Sequence, residues 1–279
     1  MNLFKKDFFK LTNDELEIVK QFNGLNTDLK AVMNGIGDIE TVVQNDRKKG
    51  VMMSENPFLL NHNSLFPNNY LNEAKLKLEN FDYINKLQNF KKLIDNEKTG
   101  ERDILNFIKD NEAYFIIGSV LKNYTTFGHH DRYLFKEFKL PPDFQADYLV
   151  VGKNSEGYHF LFFELENPYD NITIKSGSFG STLRKGIEQI NDWKTWLEKN
   201  YSSLKNVFNK QLNPKRQLPT EFLEYDSTRM NFVVVSGRRK DFNEKTYRLR
   251  RENKKLGVHI LHYDNLLDES VDLIKTCAY

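Results

Sequence analysis

The sequence predicts an α/β sandwich over residues 99–279 behind a mainly helical segment, 1–98, and three observations predict it. Residues 131–139, 145–152 and 158–166 read as consecutive strands joined by short polar connectors. A Gly/Ser-rich stretch then leads into an amphipathic helix over 181–199. Beyond that helix, the apolar run Phe232-Val233-Val234-Val235 and a last strand at 258–263 alternate with two further helices. Antiparallel strands followed by a crossover helix and more strands must cover a sheet with helices to bury its apolar faces.

In the first segment, Leu16, Val19 and Phe22 are spaced as one helix face, and a weaker helical pattern over 25–43 is interrupted by Gly35 and Gly37. Residues 56–69 are Asn-rich with Pro57 and Pro67, and read as a loop or short turns. Helical spacing returns over 71–94 through Leu76, Leu78, Phe81, Ile84, Leu87, Phe90, Leu93 and Ile94. The polar break 95–100 ends this segment, and a domain boundary is expected there. Thr99 is placed to cap a helix over 100–112, whose apolar side is Ile104, Leu105, Phe107 and Ile108. Pro214 and Pro219 mark 209–228 as a polar loop, a basic helix spans 243–255, and Asp264 opens the final helix. Trp193 and Trp196 read as packing residues.

Composition narrows the function classes. With 39% hydrophobic and 29% charged residues the chain is long enough to build a core. Net charge is only +2, so nucleic-acid binding would have to come from a local patch. The single cysteine, Cys277, excludes an internal disulfide framework and a cysteine zinc site, and suits a reducing cytoplasm. No signal peptide is visible, no stretch approaches the roughly 18–20 apolar residues of a membrane span, and there is no internal repeat.

Acidic residues mark the candidate site. Asp147 lies in Gln145-Ala146-Asp147-Tyr148, and the aromatic strand 158–166 ends on Glu164-Leu165-Glu166. Alternation along a strand sends Glu164 and Glu166 to one side, roughly 6.6 Å apart, and a hairpin brings Asp147 beside them. Three carboxylates on one face repel unless a cation sits among them, and oxygen-only donors favour Mg²⁺, Mn²⁺ or Ca²⁺. Acidic strand ends also occur without metals, so the order of the surrounding elements carries the argument.

That order resembles the PD-(D/E)XK nuclease core, a central mixed sheet flanked by helices, and residues 99–270 more closely resemble the nuclease domain of the Shedu anti-phage defence family. The similar stretches are residues 101–111 of the first helix, Gln145-Ala146-Asp147-Tyr148, Phe163-Glu164-Leu165-Glu166-Asn167-Pro168, Gly186-Ile187-Glu188-Gln189-Ile190-Asn191-Asp192-Trp193, and residues 232–238. The resemblance implies metal-dependent endonuclease cleavage of DNA, in its double-stranded form, with Mg²⁺ or Mn²⁺ as cofactor. By the same resemblance Asp147 and Glu164 hold the metal with the main-chain carbonyl of Leu165. Gln189 hydrogen-bonds water or phosphate, and Glu101 reaches the metal through water. Glu166 stands where the pattern usually has lysine; it cannot supply positive charge, but it can orient or deprotonate water. A decayed site in a DNA-binding or phage-sensing module is the competing reading. The resemblance also implies a homo-oligomer. A free nuclease would endanger its host, so regulation by 1–98, by oligomerisation or by recognition of DNA ends is expected, and a third reading makes 1–98 a sensor for a phage-derived trigger.

Arg238, Arg239, Lys240, Lys245, Arg248, Arg250, Arg251, Lys254 and Lys255 fall in one short tract. It is either a solvated helix face or a phosphate-backbone contact with little base reading. His129 and His130 lack evident metal partners and read as exposed loop residues. The stretch 175–181 precedes a helix N-terminus as phosphate-cradling loops do, but it lacks the P-loop spacing, which argues against ATP binding; a flexible loop over the site is one alternative to a plain connector.

Overall fold

The computed structural model describes residues 2–35, 38–123, 130–176 and 178–279. The first segment holds α1 (Asn13–Gly24), α2 (Leu29–Met33), α3 (Ile39–Glu55), α4 (Phe58–Asn63), α5 (Glu73–Leu78) and α6 (Asn80–Asp95). After the polar break come α7 (Glu101–Asp110) and α8 (Phe115–Gly118), then β1 (Arg132–Leu140), β2 (Phe144–Asn154) and β3 (Gly157–Leu165). The chain continues through α9 (Ser181–Asn200), α10 (Leu204–Asn209), β4 (Met230–Val235), α11 (Glu244–Lys255), β5 (Val258–Leu261) and α12 (Tyr263–Thr276).

The strands form one sheet in the order β1-β2-β3-β4-β5. β1, β2 and β3 pair antiparallel, and β3, β4 and β5 pair parallel. The α/β class, the helical first segment and all five strands therefore match the reading of the sequence. Two apolar clusters cover the two faces. Leu161, Phe163, Leu165, Val233 and Val235 face α6, α7, α8 and α12. Phe160, Phe162, Phe232 and Val234 face α9 and α10. The high Phe count is spent here: Phe66, Phe135, Phe208 and Phe222 meet edge-to-face or tilted at 4.9–6.0 Å between ring centroids, the arrangement that ring quadrupoles favour.

Several local expectations are corrected. Segment 56–69 contains α4 and a short 3-10 turn, and is largely buried. Its asparagines stay inside because they satisfy backbone groups: Asn69 Nδ2 donates to Leu134 O at 2.9 Å and Asn61 Nδ2 to Pro67 O at 3.2 Å. The helix expected over 71–94 is two helices broken at Glu79, with no Gly or Pro to signal it, and Leu78 and Phe81 are exposed instead of lying on the core face. Thr99 does not cap α7. Its Oγ1 donates to Leu93 O at 2.7 Å, Gly100 is the N-cap, and Asp103 accepts from the Gly100 N–H at 2.9 Å. Below the polar break, packing is continuous: Leu76, Phe90 and Ile94 share one apolar cluster with Ile104, Leu161 and Leu165. Among the described residues no helix is long and apolar enough to cross a membrane.

Candidate nuclease site

The site forms where β2 begins and β3 ends. Glu164 pairs with Val234 in the β3–β4 ladder and follows the alternation of Phe160 and Phe162, so it faces α9. The β1–β2 register skips Glu137, whose φ of 48° is left-handed, and Asp147, the residue across from it. Side chains swap faces at this point: Ala146 joins the α9-side cluster, whereas Tyr148 lies on the other. Such an irregularity re-aims a side chain. Asp147 Oδ2 accepts the Leu165 N–H at 2.7 Å, which directs the carboxylate toward the end of β3. This amide is the main-chain contact of Leu165 with Asp147.

Glu164 is 5% exposed and Glu166 2% exposed. Glu164 Oε2 and Glu166 Oε1 are both buried with no hydrogen-bond partner, and an unpaired buried charge is costly. Burial and mutual repulsion raise the pKa of each carboxyl group. Burial pushes Glu164 up to about 9, reinforced by the charges of Asp147, Glu166 and Glu101. Burial likewise pushes Asp147 up to about 7 against the Leu165 hydrogen bond, with Glu101 and Glu166 adding to the rise. Glu166 is raised by burial against the opposing pull of Lys185. The predicted acids Asp147, Glu164, Glu166 and Glu101, drawn from three elements, thus share one electrostatic site.

The donor set is all oxygen, which suits a hard divalent cation, and the two orphaned carboxylate oxygens are the atoms such an ion would satisfy. The cage is not preformed: among the described residues no three His, Cys, Asp or Glu side chains are grouped as metal ligands. Asp147 Oδ2 is held by an amide and Glu166 Oε2 by a lysine, which leaves one oxygen of each carboxylate for an ion.

Helix α9 closes the site from above. A Cβ on Gly186 would lie 2.8 Å from Val234 Cγ1 and 3.1 Å from Glu166 Cγ, so the helix backbone rests directly on the sheet there. This close approach sets Lys185 Nζ 3.2 Å from Glu166 Oε2. Gln189, half-buried, follows one turn later on the same helix face. Gly180 is needed at the helix entry, because a Cβ there would lie 1.8 Å from Asn171 O. The strand pairing Thr173↔Phe179 and the Lys245 Nζ bond to Ser176 O at 3.1 Å order the 175–181 stretch, of which Gly177 lies outside the described residues. Reading the sequence missed Lys185; its signal was a lysine next to the helical glycine, four residues before Gln189.

The basic tract divides. Arg238 is a structural tie: it donates to Asp264 Oδ1 at 2.8 Å, Asp95 Oδ1 at 3.0 Å and Tyr169 Oη at 2.8 Å, and also to Ile94 O. Burial would raise the Asp264 carboxyl, yet Arg238 and Arg239 hold it down to about 2. Arg239 also pairs with Asp268. Lys245, Arg248 and Arg251 are exposed on α11, the latter two joined to Glu252 at 3.0 Å and Glu244 at 3.1 Å. Arg250 is half-buried beside His259 in a cavity of about 320 Å³. His130 is exposed, as expected, and His129 lies outside the described residues.

Residues 98–267, more than half of the chain, match the family described as Shedu protein SduA, C-terminal. No curated protein matches the chain.

Proposed function

The chain belongs to the Shedu SduA C-terminal family, and from that premise we propose that it is a metal-dependent DNA endonuclease of anti-phage defence, built on a PD-(D/E)XK core. The observation that carries this reading is the cluster of Asp147, Glu164, Glu166 and Glu101, which holds two buried carboxylate oxygens without partners. Asp147 and Glu164 would hold Mg²⁺ or Mn²⁺, which supplies Lewis acidity toward the phosphate. Glu166 accepts the proton of the attacking water, and its burial favours that role because a raised pKa makes a better base near neutral pH. Gln189 hydrogen-bonds water or phosphate, and Glu101 tunes the charge on Asp147. Lys245, Arg248 and Arg251 contact duplex backbone, with Arg250 behind them. Residues 1–98 serve as a sensor or regulatory region for a phage-derived trigger, in a cytoplasmic homo-oligomer.

A second reading has its own support: the carboxylates do not converge as metal ligands among the described residues, as in a module that binds DNA without cutting it. Cleavage of linear and supercoiled DNA by purified protein with Mg²⁺, Mn²⁺ or EDTA decides between them, beside the variants Asp147→Ala and Glu164→Ala. Metal-dependent cleavage lost in both variants is the expected result. Undiminished cleavage by either variant refutes the assignment, and DNA binding without cleavage favours the second reading.

A further inference from the structure

We infer that Lys185 is a catalytic residue of this site, bridging Glu166 and a non-bridging oxygen of the scissile phosphate. The inference rests on the nuclease reading and extends it to a side chain on α9.

Three observations carry it. Lys185 Nζ lies 3.2 Å from Glu166 Oε2, while Glu166 Oε1 stays buried and free of any partner. An ammonium has three donors, so one N–H on Glu166 leaves two for a ligand. The Lys185 side chain is 62% exposed whereas that of Glu166 is 3% exposed, so the lysine reaches outward from an acid that cannot. The contact of Gly186 with Val234 and Glu166 fixes where this turn of the helix sits, so the placement follows from packing. The charge of Lys185 also acts on Asp147 and Glu164 as well as on Glu166.

The chemistry needs such a group. Water oxygen forms a bond to phosphorus as the bond to the leaving sugar oxygen breaks. The water proton passes to the Glu166 carboxylate, and solvent protonates the leaving oxygen. Negative charge grows on phosphate oxygens in a site whose other named groups are acids. A fixed ammonium there stabilises the transition state more than the bound substrate.

The test is single-turnover cleavage of a linear duplex by full-length protein in Mg²⁺, at saturating enzyme, for wild type, Lys185→Met and Lys185→Arg. Duplex affinity in Ca²⁺ and thermal midpoint are measured alongside. Lys185→Met is expected to slow cleavage by about 100-fold or more, with duplex Kd changed by less than about threefold because one phosphate contact among several is lost. Lys185→Arg is expected to recover at least about tenfold of the loss. A Lys185→Met rate within threefold of wild type overturns the inference while leaving the nuclease reading intact. A loss that saturating enzyme abolishes reduces Lys185 to a binding contact and also overturns it. Wild-type protein that cuts nothing refutes the nuclease reading and this assignment together.

Discussion

Replacing Glu164 by Gln should stabilise the protein progressively as pH rises. In the unfolded chain this carboxyl ionises near its ordinary value of 4.5, whereas in the folded protein burial pushes it up to about 9. Between those values the folded state keeps a proton that the unfolded state has released. Stability therefore falls with pH by about 1.4 kcal/mol per unit. From pH 6 to pH 8 the loss from this one group is about 2.7 kcal/mol. Gln keeps the shape and cannot ionise, so the Glu164→Gln protein should lack that slope. Asp147 helps to raise this carboxyl, so the difference between the two proteins reports Glu164 together with its repulsion by Asp147. Equilibrium urea unfolding at pH 6, 7 and 8 in EDTA measures it. Parallel stability curves for the two proteins would refute the claim that Glu164 is buried beside other acids without a cation. Adding Mn²⁺ at pH 8 should stabilise wild type as binding to the native state requires, and should stabilise Glu164→Gln less.

Gly186→Ala sets about 1–3 kcal/mol of overpacking against Val234 and Glu166 against about 1 kcal/mol gained in helix propensity. A net loss of about 1 kcal/mol by urea melts is expected, with cleavage falling further because Lys185 is lifted from Glu166. Arg238→Ala leaves Asp264 without its principal partner and Ile94 O without its guanidinium donor, and should cost about 3 kcal/mol of unfolding free energy; a cost below 1 kcal/mol would show the tie between α6 and the strand ends to be slack. The triple variant Lys245→Ala/Arg248→Ala/Arg251→Ala should flatten the slope of log Kd against log salt for duplex DNA by about 2–3, and an unchanged slope would remove α11 from the interface.

Much of this arrangement was legible in the chain because it is written in local patterns. The strands at 158–166 and 232–235 announce themselves by aromatic and β-branched runs, and the acids at 147, 164 and 166 stand out because they interrupt such runs. The family resemblance rests on the same stretches, and the matched segment 98–267 bears it out. Other features leave no local mark. The break at Glu79 has no Gly or Pro, because it is set by where α6 packs. Arg238 reads like any other member of a basic tract until Asp95, Tyr169 and Asp264 arrive from distant parts of the chain.

The sequence by itself determined the α/β class, the five strands and the identity of the acids, since alternation and periodicity depend only on neighbours along the backbone. Tertiary structure alone decided which groups share a site and in what state. The face exchange at Asp147 aims its carboxylate at the Leu165 amide, the missing Cβ of Gly186 brings Lys185 onto Glu166, and packing between the sheet and α9 strips water from Glu164. Protonation and ion pairing depend on distance and dielectric, and those exist only once the chain has folded.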